Sequence, residues 1–521
     1  MSLSPDLLPL LSENLPPSPL QAGYIQEVVS DLEARLKTLK LLVEHVERDR
    51  SRYKAILSPI RRIPKEIIGE IITAAVPNIV KDHDERERLI ELCMVSKNWR
   101  DAARLASNLW RGITLEPPHP ASESQLTIAY DRTVAWLRRG GGLPKIVSFR
   151  GSEDRCRCDR GRQCVLKFPL LAKILVKGPS IHNLTLHLSS TRCFKSFVNL
   201  IDSETSASTP TPAPSTRPWH SLPSLSIRFE SRHMDDWTES ADPSQSIFSL
   251  LPPITSFDLQ LPETALFRAN VEESVYGPLH LTDVQLNRLE SFSIRWDWGN
   301  RRFFSVLMAC SNIVNLTIDF NLSDVLKQET LAPLLKELSK TPIHLPRARI
   351  LCLFDMNFGV LDYFSTPSLT HLHLQVDHLN DEISPGFSHT LSRFILRSDI
   401  AHSLRFIRID RPMFPTWDLR EALSQLPALV HLVIVDAIGI GNIFTLPIPG
   451  EDDDQFPALK HLELHEMPTT YNAIDVIRYL RTREGARRCL LSFSYVQDRT
   501  VTSDNSHPPV NIFPPRARGS T

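Results

Sequence analysis

The chain has 521 residues, with 59 Lys and Arg against 60 Asp and Glu; it is long enough for more than one structural unit, and its balanced charge gives no overall attraction to nucleic acid or to an anionic membrane surface. Eight irregularly spaced cysteines make no disulfide framework at this length and point to a reducing compartment. No apolar run reaches the ~20 residues of a membrane span, and Met1 to Leu20 lacks the basic region of a secretory signal, so the expectation is a cytoplasmic or nuclear protein, not secreted, with neither nucleic acid nor membrane as a partner.

Residues 1–20, rich in Leu, Pro and Ser, read as a disordered lead. Residues 21–58 read as one long helix. Ile25, Leu32, Leu39, Val46 and Tyr53 fall seven apart, and Val29, Leu36, Val43, Arg50 and Leu57 form the second series. Only Arg50 interrupts this stripe, which is the pattern of a coiled coil. The stripe is expected either to form a homodimer seam or to pack back on the body. Pro59 ends it.

Residues 59–115 change character. Pro64 sits where a helix can begin, because its missing N–H costs nothing there, and Glu66 suits the start of the helix dipole. Ile67, Ile68, Ile71 and Ile72 make a wide apolar stripe on a short helix that Pro77 stops. A second helix reads from about Glu85, with Leu89, Leu92, Val95 and Trp99 three or four apart. A unit of about fifty residues is small for an independent core, so some of these anchors are expected to pack on something else: the following domain, or a partner.

The residues Ile63-Pro64-Lys65-Glu66-Ile67, then Val95-Ser96-Lys97-Asn98-Trp99, then Leu109-Trp110 resemble the F-box, whose pattern reads Leu-Pro-x-Glu-Ile, Val-Cys-Lys-x-Trp and Leu-Trp. Ile63 and Ser96 stand where that family usually has Leu and Cys, and the connection 78–88 is longer and more charged than usual. The resemblance covers about a tenth of the chain. F-box proteins are the substrate receptors of Skp–cullin–F-box ubiquitin ligases. The resemblance implies adaptor binding through Ile63, Pro64, Ile67, Ile68, Ile71, Val95, Trp99 and Trp110, with a Skp-type adaptor and, through it, a cullin as partners.

Residues 116–500 repeat a different unit, apolar-x-x-apolar-x-apolar. It occurs at Ile181, Leu184 and Leu186, and again at Leu222, Ile254, Leu289, Ile313, Leu369, Leu404, Leu429 and Leu459, with a weaker copy at Leu351 and Leu353. Spacings run from the low twenties to about forty residues, resembling a leucine-rich repeat with long, irregular connections. A short strand with alternate side chains inward cannot bury its own face, so stacking the units builds a parallel sheet and a continuous core. Phe303–Cys310 and Leu331–Leu338 have helical periodicity. The asparagine ladder usual in such repeats is mostly missing. Residues 202–218, rich in Ser, Thr and Pro, read as a disordered insert, Gly450 to Gln455 as an acidic loop tip, and residues 501–521 as a disordered tail.

Candidate chemistry is sparse. Cys156, Cys158 and Cys164 cluster among four arginines, but their spacing departs from paired zinc-ligand spacing and a fourth ligand would have to come from Cys193, His182 or His187; a solvated basic loop accounts for them, and no metal or cofactor is expected. Gly140-Gly141-Gly142 reads as a helix-terminating turn. His371, His431 and His461 take equivalent outward positions on successive strands, His431 and His461 about 5 Å apart, with His373 and His465 on the same face. The plain reading is a polar, solvent-facing surface. The functional reading is a binding or pH-sensitive patch, with His371, His373, Arg408, His431, His461 and Glu463 as the candidate substrate-binding residues. No catalytic fingerprint is present.

The expected fold class is therefore α+β or α/β: a coiled-coil helix and a small helical bundle, followed by a degenerate leucine-rich-repeat solenoid with a parallel sheet. The expected function is not enzymatic: a substrate-recognition subunit whose F-box holds the adaptor and whose repeats bind a target protein, with self-association through the coiled coil as a further option. The alternative is a repeat-based scaffold whose degenerate F-box does not bind the adaptor.

Overall fold

A computed structural model describes residues 16–76, 79–116, 123–150, 169–208, 218–229, 242–261, 279–295, 302–320, 332–356, 358–376, 386–412, 416–437, 444, 456–482 and 489–495. The chain divides into two compact units, one made of residues 1–78 and 84–109, the other of residues 79–83 and 110–521.

The first unit begins with helix α1, Pro19–Leu57. Ser18 caps it, accepting from the Gln21 backbone N–H, while the Gln21 side chain accepts from the Ser18 N–H; this reciprocal box fixes the first turn. The helix therefore starts inside the stretch 1–20 expected to be disordered. It stops before Pro59, which opens a short 3-10 turn, Pro59–Arg62. None of its 39 residues is buried. Three short helices follow it in sequence: α2, Lys65–Ala75, α3, His83–Met94, and α4, Lys97–Leu105, of which α2 and α4 pack together. Pro64 caps α2 rather than opening its first turn; its ring confines the preceding Ile63 to the extended region. Ile68 and Ile72 of α2, Leu89 of α3, and Trp99, Ala102 and Ala103 of α4 form the buried positions, and Lys65 Nζ lies 3.4 Å from Asp101 Oδ2 across the α2–α4 packing. The single helix expected from Glu85 through Trp99 is in fact two. Ser96 breaks it, its hydroxyl accepting from the Trp99 N–H at the start of α4, as an extended Ser at an N-cap does.

The second unit alternates strands and helices. In chain order these are β1 Gly112–Leu115, α5 Glu123–Arg138, β2 Ile146–Arg150, α6 Pro169–Lys177, β3 Asn183–Leu188, α7 Thr191–Ser208, β4 Ser224–Phe229, β5 Ser256–Gln260, α8 Asp283–Arg288, β6 Ser291–Arg295, α9 Arg302–Ala309, β7 Asn315–Asp319 and α10 Ala332–Lys340. There follow β8 Ile343–His344, β9 Ile350–Met356, β10 Phe364–Ser365, β11 His371–Val376, α11 Phe387–Ser398, β12 Phe406–Asp410, α12 Thr416–Ser424, β13 His431–Val435, β14 His461–Met467, α13 Ala473–Thr482 and β15 Leu490–Tyr495. Thirteen strands form one all-parallel sheet in sequence order, and β8 pairs with β10 in a separate two-stranded one. This is the α/β repeat architecture of a leucine-rich-repeat-like solenoid.

Register explains why the repeats hold. The second residue of each strand forms one unbroken row: Ile113, Val147, Leu184, Leu225, Phe257, Phe292, Leu316, Leu351, Leu372, Ile407, Leu432, Leu462 and Leu491. All but Leu491 are essentially inaccessible. Helix residues such as Leu171, Phe194, Phe304, Leu391 and Leu419 share the same core, and each such burial contributes roughly 1.5–3 kcal/mol. At the start of most strands one carbonyl accepts two successive N–H groups from the next repeat. The Thr255 carbonyl takes Glu290 and Ser291, Glu290 takes Val314 and Asn315, Val314 takes Arg349 and Ile350, and so on to Val430, which takes Lys460 and His461, all at 2.7–3.1 Å. Helix α11 has no cap of its own at Gly386; Asp418 of α12 supplies one, its two oxygens accepting from Phe387 N and Ser388 N at 2.7 and 2.9 Å.

Several expectations need correction. β1 and Trp110 belong to the repeat unit and not to the helical bundle that residues 59–115 were expected to form. Trp110 is buried edge-on against Trp136, ring centres 4.7 Å apart, with the Arg139 guanidinium 4.8 Å from its ring. Helix α7 runs through Ser208, so the first part of the stretch 202–218 is helical: Ser203, Thr205 and Ser206 return their hydroxyls to carbonyls of the preceding turn. Residues 209–217, like Pro77, the cluster at Cys156, Cys158 and Cys164, the stretch 450–455 and the tail 501–521, lie outside the described residues. Gly140 to Gly142 do end α5: Gly140 N donates to Leu137 O, Gly141 takes φ +56°, and Lys145 Nζ donates to the Gly141 carbonyl at 2.8 Å. No helix among the described residues is long and apolar enough to cross a membrane.

Candidate functional site

Two surfaces, one in each unit, carry side chains that their own fold leaves unused. In the helical unit, burial sorts the eight expected adaptor contacts. Ile68 is fully buried and Trp99 nearly so, so both hold the unit's own core. Trp110 is taken up in the other unit, as described above. Ile63 is half-buried and Pro64 exposed. Ile67, Ile71 and Val95 are exposed, at 52%, 39% and 60%. Ile67 and Ile71 are one helical turn apart and share a face of α2. The motif did not mark two further exposed apolar residues, Ile90 and Met94, at 53% and 70%, again one turn apart, on α3. Their signal in the sequence was the doubled aliphatics Leu89-Ile90, in which Leu89 goes inward and Ile90 outward, and Met94-Val95, in which both stay exposed.

In the repeat unit, the first, third and fifth residues of each strand point away from the core, onto the open face of the sheet. From β4 to β7 the first positions are Ser224, Ser256, Ser291 and Asn315. Between them run ion pairs: Asp258 Oδ2 accepts from Ser226 Oγ at 2.7 Å and lies 3.3 Å from Arg228, and Arg295 lies 3.6 Å from Asp319. From β11 onward the same row becomes rings. His371, Phe406, His431 and His461 stand side by side in register, with ring centres 5.4, 4.9 and 5.3 Å apart. His371 and His431 are partly covered. Burial holds His371 below the usual imidazole range, helped by His431. Burial likewise lowers His431, and the pull of Glu463 does not undo it. Both rings are therefore neutral at physiological pH.

Below this row the imidazoles are tied down. Glu463 bridges His431 Nε2 and His465 Nε2 at 2.9 Å each; burial works to raise its pKa, but these two hydrogen bonds outweigh it and leave the carboxyl below its ordinary range. His373 is buried at 7% exposure, its Nε2 2.8 Å from Asp410 Oδ2, and Arg408 Nε donates to the same carboxylate at 2.8 and 3.1 Å. Burial pushes Asp410 up and these partners more than offset it. His373 is thus a structural member of the network rather than an accessible contact, a correction to its expected role. His371, His431, His461, Arg408 and Glu463 reach the open surface to different degrees.

A feature not anticipated recurs near the C-terminal ends of four strands. Asp355, Arg411, Asp436 and Glu466 directly follow the fifth residue of β9, β12, β13 and β14, and each takes a positive φ, 48°, 54°, 52° and 53°. A left-handed step costs a side-chain-bearing residue about 1–2 kcal/mol, and the recurrence at one repeat position shows that the turn demands it. Arg411 N donates to Val435 O and Asp436 N to His465 O, and Arg411 lies 3.7 Å from Asp436. Asp tolerates this conformation better than most residues, which was the only trace in the sequence.

Chemically, the open face offers ring edges, neutral imidazoles and fixed ion pairs. Burial pushes the Cys310 thiol up to about 12 and the Cys352 thiol up to about 11, so neither is a thiolate at neutral pH. Among the described residues no three His, Cys, Asp or Glu side chains converge as metal ligands. No known family model matches the chain, and no curated protein matches it.

Proposed function

We propose that this chain is a non-catalytic receptor, an F-box-like substrate-recognition subunit whose helical unit docks a Skp-type adaptor and whose repeat sheet holds a target protein. The observation that carries this reading is the two-sidedness of the short helices. Ile68, Ile72, Leu89 and Trp99 are spent on the unit's own core, while Ile67, Ile71, Ile90, Met94 and Val95 remain exposed on a unit of few residues. Exposed aliphatic groups in that density mark an interaction surface, and the motif at Ile63 to Ile67 names the kind of partner. The sheet's open face gives the other end, with the row from His371 to His461 as its most ring-rich part. Catalysis would then lie in other subunits, with this chain contributing proximity.

Co-expression with a Skp adaptor tests the reading. The parent chain should co-purify with the adaptor as a stable complex. The double substitution Ile67→Asp with Ile71→Asp should abolish the complex and leave the thermal unfolding of the chain unchanged, since neither residue is buried. Failure of the parent chain to bind would refute the adaptor role and favour a scaffold without a ligase connection.

A further inference from the structure

We propose that α1 is one strand of an antiparallel two-stranded coiled coil formed with a second copy of this chain. The first ground is exposure. Leu36, Leu39, Val43, Val46 and Tyr53 lie in one heptad stripe, each 55% or more exposed, along a helix that buries nothing within its own chain among the described residues. A stripe of this width and length is a seam for another helix.

The choice of occupant rests on charge. The residues that flank this seam on one edge are Glu33, Lys40, Glu47 and Lys54, seven apart and alternating in sign. Their neighbours are satisfied along the helix: Asp31 pairs with Arg35 at 2.7 Å and Asp49 with His45 and Arg52 at 3.3 Å. Among the described residues the alternating four form no ion pair. In an antiparallel pair this edge faces the same edge of the other copy. An alternating run read against its own reverse is self-complementary, so Glu33 meets Lys54 and Lys40 meets Glu47, each contact occurring twice by symmetry. The same register sets Val43 against Val46 and Leu36 against Tyr53 in the seam.

The competing arrangements carry like-charge contacts. A parallel pair would set Arg50 against its own copy in the seam and Arg35 against Lys40 at the edge. The antiparallel register one heptad away would set Lys40 against itself and Glu33 against Glu47. Exposed ion pairs contribute little affinity; like charges placed together discriminate between arrangements. The apolar stripe therefore supplies the attraction and the alternating edge supplies direction and register.

The test uses the full chain in three forms, with molar mass measured by sedimentation over a range of concentrations. The parent should be a reversible dimer. Lys40→Glu with Lys54→Glu makes the edge wholly acidic, and Glu33→Lys with Glu47→Lys makes it wholly basic; each variant alone should dissociate at least about tenfold more readily. An equimolar mixture of the two should restore a one-to-one dimer, because only edge-to-edge contact pairs the altered residues with each other. All four positions are exposed, so the helix content of each variant by circular dichroism should match the parent. A parent that stays monomeric overturns the proposal, as does a dimer indifferent to the variants or one whose variants fail to recombine. None of these readouts involves the adaptor, so this proposal and the receptor reading fail separately.

Discussion

Helix α1 and the repeat sheet are opposite solutions to the same problem. Each strand of the sheet brings two or three apolar side chains and hands them to a core made by its neighbours; the row from Ile113 to Leu462 runs through twelve strands without a break. Helix α1 carries as dense an apolar stripe and buries none of it within the chain. Apolar periodicity alone therefore does not say where a surface is buried. It says only that something must cover it, and a repeat supplies its own cover where a lone helix does not.

Substitutions on the two sides of this contrast should differ by an order of magnitude. Phe292→Ala removes a fully buried ring that stacks on Phe257 at 6.1 Å and should destabilise the repeat unit by about 3–5 kcal/mol, measured by urea unfolding followed by tryptophan fluorescence. Next comes Asp418→Ala, which leaves the Phe387 and Ser388 N–H groups buried without an acceptor; a loss of about 1–3 kcal/mol is expected in the same measurement. A value near zero would mean that water replaces the carboxylate.

The pH dependence should be smaller and have a defined sign. His371 and His431 are depressed below 6.5 in the folded chain, so the unfolded chain binds protons more readily there. Their contribution is whole above pH 6.5 and is lost as pH falls from 6.5 through the folded values. The depressed carboxyls Glu463 and Asp410 act in the same direction at lower pH, below their ordinary values. Melting temperatures between pH 7.5 and 5.5 should fall for the parent and fall less for His431→Gln. The smallest effect belongs to α1: Leu39→Ala, measured at concentrations where the chain is monomeric, should change stability by no more than about 0.5 kcal/mol. A larger loss there would break the comparison, because it would mean the stripe already has a partner inside the chain.

Much of the fold was legible because the strand pattern is strict. Ten of the thirteen strands of the long sheet announced themselves through the apolar-x-apolar step, and Phe303 to Cys310 and Leu331 to Leu338 announced two of the helices. The three missed strands sit at the ends. Gly112–Leu115, although buried throughout, was read as the close of the helical motif; Ile146–Arg150 and Leu490–Tyr495 carry Pro144 and Arg488 where the repeat has its leading apolar residue, and Leu490–Tyr495 is also largely exposed. The open-face row of His371, His431 and His461 was legible from their common position in the unit, but Phe406, which stacks between two of them, was hidden because a phenylalanine in a strand reads as core. What sequence could not sort was inward from outward within Leu89-Ile90 or Ile67-Ile68, where adjacent aliphatics look alike and only packing separates anchor from exposed contact. Trp99 and Trp110 show the reverse bias: large aromatic residues attract a binding role on paper and in the fold are absorbed into two different cores.

The paired N–H groups gathered by single carbonyls at the strand starts have a consequence for how such a molecule ages. A ladder of asparagine side chains ties registration to one amino acid, and every repeat must keep it. A ladder of peptide groups is indifferent to which residue supplies it: here Pro223, Thr255, Glu290, Val314, Arg349, Thr370, Arg405 and Val430 all serve. The joints between repeats are therefore free to mutate, and the loops beyond them free to lengthen, while the stack keeps its step. A scaffold of this kind preserves its geometry and lets its spelling drift.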